Sequence, residues 1–156
     1  MIRSINWGHS HARVVLKQGD VLHRIHSDRF GPVQYNNNPG GNARFSPIRQ
    51  PSGDIEPSIY AAETFSGAAM ETALHDVPVT GDPKVVQQSE LEGLVHSKIT
   101  VNEDLIVADL TSKGLHALGL TKTQVIETGR RDYSQTRQFA EDLLRSNPDL
   151  HGFMWV

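Results

Sequence analysis

Apolar and polar positions along this chain repeat with two periods, and the changes between them mark its elements. Over residues 21–26, Val21, His23 and Ile25 alternate with Leu22, Arg24 and His26, which is the period of a β-strand. The same alternation sets Val95, Ser97, Ile99 and Val101 against His96, Lys98 and Thr100, inside a stretch that opens near Lys84. Residues 12–17 are apolar and β-branched enough for a short strand or a turn of helix, and Gln18, Gly19 and Asp20 break them. Residues 105–110 are a further strand candidate, entered by a tight turn at Asn102 and Glu103. Residues 151–156 read as a last strand, and residues 1–11 as an ill-defined lead-in.

Helical spacing occurs in three places. Residues 58–62 are short and β-compatible, and Thr64 or Ser66 can cap a helix that runs to about His75. Phe65, Ala69, Thr72 and Ala73 fall on its core-facing stripe. Glu71 lies off that stripe, with Gly67 and Ala68 a turn before it and His75 a turn after. Small residues beside a carboxylate leave room for a ligand, and Tyr60 ends the strand that feeds the helix. Thr111 or Ser112 caps a second helix through Leu118, stopped by Gly119. Asp132, with Gln135 three residues on, opens a third whose stripe is Thr136, Phe139, Ala140, Leu143 and Leu144. Asn147-Pro148 ends it.

Residues 27–57 have almost no period and are rich in Asn, Pro, Gly and Ser, which suits a functional or mobile loop. Asn36 to Gly41 is turn chemistry, and Tyr35 either stacks on a ligand or pins the loop. Residues 77–82 are a turn-rich break.

Composition narrows the function classes. A length of 156 residues suits one domain, and 37% hydrophobic content with 13 Gly and 8 Pro suggests many turns around a modest core. A net charge of −3 argues against an obligate binder of nucleic-acid backbones. The absence of cysteine removes disulfides and thiolate chemistry, and it suits a cytoplasmic protein. No 18-residue apolar run is present, so no membrane span is expected. Eight histidines invite a metal reading, but none forms a His-Glu-x-x-His pattern, so no metal is expected. Glu63 and Glu71 are separated by a strand-to-helix turn and make no glycosidase pair. On spacing alone, Arg24 reads as a surface or ion-paired arginine.

Four motifs in register change that picture. They are Leu22-His23-Arg24-Ile25, then Gly40-Gly41-Asn42-Ala43-Arg44-Phe45-Ser46-Pro47, then Ile59-Tyr60-Ala61-Ala62-Glu63, and an alanine-rich helix holding Glu71. From about Val21 onward their order resembles the RES domain family, named for an arginine, a glutamate and a serine. The resemblance implies an α+β fold like that of ADP-ribosyltransferases, a bent or split mixed sheet with flanking helices. It implies NAD as the substrate, with the nicotinamide–ribose bond cleaved by hydrolysis or phosphorolysis, and a toxin that depletes cellular NAD within a bacterial toxin–antitoxin pair. Alternatives of the same fold are a protein ADP-ribosyltransferase or a catalytically impaired interaction domain. The resemblance assigns Arg24, Tyr60 and Glu71 to catalysis, and Arg24, Gly41, Arg44 and Tyr60 to holding NAD. It also implies a helix-turn-helix antitoxin protein as partner, with a homo-oligomer possible and neither direct nucleic-acid binding nor a membrane expected.

Two features depart from the family pattern. The glycine motif carries extra residues before Arg44. The strand over residues 152–156 should lead into the family's serine, where the sequence stops. Ser134 and Ser146 have the wrong surroundings for that role. The expectation is a single RES-like domain over 1–156 that lacks its C-terminal part.

Overall fold

The computed structural model describes residues 12–72 and 87–155. The chain divides into two compact units, each assembled from separate stretches. One takes Met1–Lys17, Asn36–Ser58 and Glu103–Val156, and the other takes Gln18–Tyr35 and Ile59–Asn102. Helices and small sheets are mixed throughout, which makes the protein α+β.

In the Gln18–Tyr35 and Ile59–Asn102 unit, the two alternating segments are strands, as predicted, and they pair with each other. Strands β2 (Val21–Ser27) and β5 (Leu94–Thr100) form an antiparallel ribbon from Val21↔Thr100 to Ser27↔Leu94. Gly19 turns the chain into β2 with a φ of 93°, a value that favours glycine, and its amide donates to the Val101 carbonyl at 2.8 Å. Alternation puts Leu22, Arg24 and His26 on one face with Ile99, Ser97 and Val95. His23 and Ile25 share the opposite face with Lys98 and His96.

The strand expected over residues 58–62 shrinks to isolated bridges. Ala62 exchanges backbone hydrogen bonds with His23 on the free edge of β2, at 2.7 and 2.8 Å, while Ser58 bridges Asn36 within the other unit. Helix α1 (Phe65–Thr72) then starts where Thr64 caps it, its hydroxyl accepting the Gly67 amide at 3.0 Å. The predicted core stripe is not the one used. Ala68 is the buried residue of α1, Phe65 is 52% exposed and Thr72 is exposed. The cause is close approach by small residues: a Cβ on Gly67 would stand 3.2 Å from both Ala62 Cβ and Thr64 Oγ1. Phe65 instead meets the His96 ring edge-on, 5.0 Å between centroids. Ala73, His75 and the break at residues 77–82 lie outside the described residues. A single helical turn, α2 (Gln88–Leu91), precedes β5.

The other unit is built on a three-stranded sheet of order β1-β6-β7. Strand β1 (Arg13–Leu16) runs antiparallel to β6 (Leu105–Asp109), and β7 (Gly152–Met154) runs parallel to β6. The turn expected at Asn102 and Glu103 therefore closes no hairpin, because β5 pairs with β2 and β6 with β1. Val107, Ala108 and Leu110 are buried on and just after the central strand. Two-residue strands β3 (Ile48–Arg49) and β4 (Ile55–Glu56) pair around Gly53, giving the supposed loop a small scaffold.

Helix α3 (Ser112–Ala117) ends at Gly119, whose φ is 71°, as the sequence predicts. Helix α4 (Lys122–Val125) opens with a capping box between Thr121 and Gln124. The capping arrangement expected at Asp132 does not form. A 3-10 turn at Arg130–Asp132 leads straight into helix α5 (Tyr133–Ser146), so the chain enters already wound and Asp132 makes no cap bond. Along α5, Thr136, Phe139, Ala140 and Leu143 are buried as predicted, joined by Tyr133. Leu110, Leu115, Val125 and Leu143 are fully buried, each worth about 1.5–3 kcal/mol of hydrophobic transfer.

Candidate functional site

Arg24 departs furthest from what a single arginine usually does. Its position on β2 turns it to the face shared with His26 and Ser97, and it is only 8% exposed. Nη1 donates to the Pro32 carbonyl at 2.7 Å and, at a stretched 3.4 Å, to the Gly31 carbonyl. Among the described residues no carboxylate pairs with it. Removal from water favours the neutral guanidine, so burial lowers its pKa below the ordinary arginine value. The surface reading of Arg24 from spacing is thus wrong in place: the guanidinium is held inside by neutral acceptors.

Beside it, His26 is also buried, and its tautomer follows from its partners. The Ser27 carbonyl lies 2.9 Å from Nδ1, so Nδ1 carries the proton and donates it. Nε2 then accepts the Ser97 hydroxyl at 2.8 Å. Ser97 is the register partner of Arg24, so this pair braces the strand at the arginine. The partnership of His26 with Ser97 is not legible in the sequence, since the contact spans 71 positions and no local pattern encodes it.

Tyr60 and Glu71 belong to the same unit as Arg24. Tyr60 is half-buried, two residues before the Ala62 bridge to β2. Glu71 is exposed in the last turn of α1, and no ion pair joins it to Arg24 among the described residues. Tyr35 is 60% exposed, with Phe30 and Val33 also exposed nearby in sequence.

Gly41 and Arg44 belong to the other unit. The Gly41 amide donates to the Asn38 carbonyl at 3.3 Å, and a Cβ there would make only ordinary contacts, so the backbone does not require glycine at this position. Helix α5 fixes the segment. The Thr136 hydroxyl donates to the Arg44 carbonyl, and Arg137 Nη1 donates to Asn42 Oδ1 at 2.8 Å and the Ala43 carbonyl at 3.1 Å. The Arg44 guanidinium sits 5.5 Å from the centroid of the Tyr133 ring, a cation–π arrangement. Its Nε is buried without a hydrogen-bond partner among the described residues. Sequence reading placed Thr136 on a core stripe, but its hydroxyl turns out to be an anchor for the loop.

The RES domain family model matches residues 21–155, which is most of the chain and includes all five candidate residues. The chain belongs to the RES domain family. Among curated proteins and solved structures, none matches it. Membership accounts for the order of the four motifs in this RES-domain protein. Among the described residues no helix is long and apolar enough to cross a membrane.

Proposed function

We propose that this RES-domain protein breaks the nicotinamide–ribose bond of NAD by hydrolysis or phosphorolysis, acting as a toxin that lowers cellular NAD, on a fold of the ADP-ribosyltransferase type. The observation that carries the reading is Arg24, a buried cation that among the described residues is matched only by neutral carbonyls. An uncompensated charge inside a protein costs several kcal/mol, and an anionic ligand such as a diphosphate offsets that cost through the planar guanidinium fork. Arg44, with its orphaned Nε, is a second candidate for contact with an anion.

Departure of neutral nicotinamide leaves an oxocarbenium-like ribose. In this reading the Glu71 carboxylate stabilises that positive charge and orients the ribose hydroxyls, and Tyr60 stacks on or hydrogen-bonds the nicotinamide ribose. Gly41 contributes to holding NAD through its segment of backbone. The partner that goes with this activity is a helix-turn-helix antitoxin protein.

The test is nicotinamide release from NAD by the purified protein, with and without inorganic phosphate, compared with Arg24→Ala and Glu71→Gln. Release by the parent that is lost in both folded variants is the expected result. Undiminished release by Glu71→Gln excludes the assigned chemistry, and no release by the folded parent overturns the proposal. Transfer of ADP-ribose to protein in the same assay would make it a transferase instead.

A further inference from the structure

The face of the β2–β5 ribbon turned away from Arg24 carries two histidines in direct contact. Nδ1 of His23 lies 2.9 Å from Nε2 of His96. The rings are parallel to within 1°, with centroids 5.1 Å apart. This is no face-to-face stack, because stacked rings keep about 3.5 Å between atoms. The two imidazoles meet edge to edge, nearly in one plane, with one proton between the facing nitrogens. Strand pairing fixes the contact: His96 is the register partner of Ile25, which puts it diagonal to His23 across the ribbon. Phe65 packs edge-on against His96 and limits the ring's travel.

We propose that His23 and His96 form a bidentate site for a divalent transition-metal ion, Cu2+ foremost. Metal–imidazole bonds are about 2.0–2.1 Å, and two of them at a right angle set their nitrogens about 2.9 Å apart. That is the separation the pair already has. Tetrahedral ligation needs about 3.3 Å, and because the two nitrogens now face each other along one line, each ring turns by about 35–45° to aim its lone pair at the metal in either geometry. The proton between the rings moves to the outer nitrogen of its own imidazole, both rings stay neutral, and both facing lone pairs become available. Imidazole ligands and cis coordination favour Cu2+ over Ni2+ and Zn2+ in the order of intrinsic affinities. Among the described residues no third His, Asp or Glu joins the pair, so water completes the shell. His96 is exposed and His23 half-exposed, which leaves room for it. Lys98, the exposed register partner of His23, is the one cation on this face of the ribbon and works against binding. The site is independent of NAD chemistry.

The experiment titrates CuSO4 into the full chain by calorimetry, alongside His23→Gln and His96→Gln. Separately, ZnCl2 is followed by NMR of the imidazole nitrogens, since six other histidines could also take metal. One equivalent should bind, each substitution should weaken it at least tenfold, and zinc should shift His23 Nδ1 and His96 Nε2. Equal affinity in the folded variants, or zinc shifts confined to other histidines, overturns the site. Should a variant fail to fold, the zinc spectrum of the parent decides alone.

Discussion

Replacing Arg24 with Met separates support of the fold from readiness for a ligand. The guanidinium is 8% exposed and its acceptors are one good carbonyl at 2.7 Å and one at 3.4 Å. A hydrogen bond from a charged donor contributes about 1.5–3 kcal/mol, and the stretched one adds little. Desolvating the ion costs several kcal/mol even after relaxation, so Arg24 leaves a net deficit of about 1–2 kcal/mol. Met keeps an unbranched apolar stem in place of the charged one. Gly31 and Pro32 are exposed, so water can take over their carbonyls. Urea unfolding should therefore show Arg24→Met to be about 1–2 kcal/mol more stable than the parent, with an unchanged slope. Nicotinamide release should be lost. The sign against pH agrees: because the folded-state pKa is lowered, the penalty persists at all working pH values. It lifts only as pH climbs from the lowered folded-state pKa toward the ordinary arginine value, so the stability gain should be flat between about pH 5 and 9. A loss exceeding about 1 kcal/mol would show that the guanidinium holds the fold together, and the argument for a waiting anion site would fail.

Three further outcomes test the packing of the unit that holds Arg44. Leu143→Ala, at a fully buried position of α5, should lose about 2–5 kcal/mol in urea unfolding. Gly114→Ala should be at least as harmful as ordinary overpacking, about 1–3 kcal/mol, because the new Cβ would stand 1.9 Å from the Asp109 carbonyl oxygen, which is backbone and cannot swing away; thermal unfolding close to the parent's would contradict that contact. Thr136→Val keeps the shape but leaves the Arg44 carbonyl without its hydroxyl donor, at about 1–3 kcal/mol, and amide exchange near Arg44 should rise.

Local patterns that a strand or helix satisfies alone were legible in the sequence. The alternation in β2 and β5 and the stripe of α5 needed only their own residues. What required distant chain was not legible. The alternation of β5 says nothing of its partner, so its pairing with β2 and the contacts His26–Ser97 and His23–His96 were invisible. Helix α1 misled because its packing runs through Gly67 and Ala68, whose lack of bulk the apolar pattern does not score, whereas Phe65 drew the stripe outward. The position of Arg24 on a strand was legible, but its burial was not, since burial depends on the carbonyls of residues 31 and 32 folding over it. Family membership followed from motif order, which needs no geometry.

The interleaving of the two units sets an order of events on the ribosome. Strand β1 leaves the tunnel first, yet its partner β6 begins only at Leu105, after every residue of the Gln18–Tyr35 and Ile59–Asn102 unit has been made. At about 5–20 residues per second, β1 waits on the order of 5–20 s with its backbone unpaired. The ribbon of β2 and β5 can close once β5 clears the tunnel and before β6 does, so nascent chains stalled with Asn102 just outside the tunnel should already resist protease at Arg24 while remaining cleavable at Arg13 and Lys17. Those two exposed charges bracket β1, the kind of feature that discourages an unpaired strand from finding another chain while its own is still being synthesised.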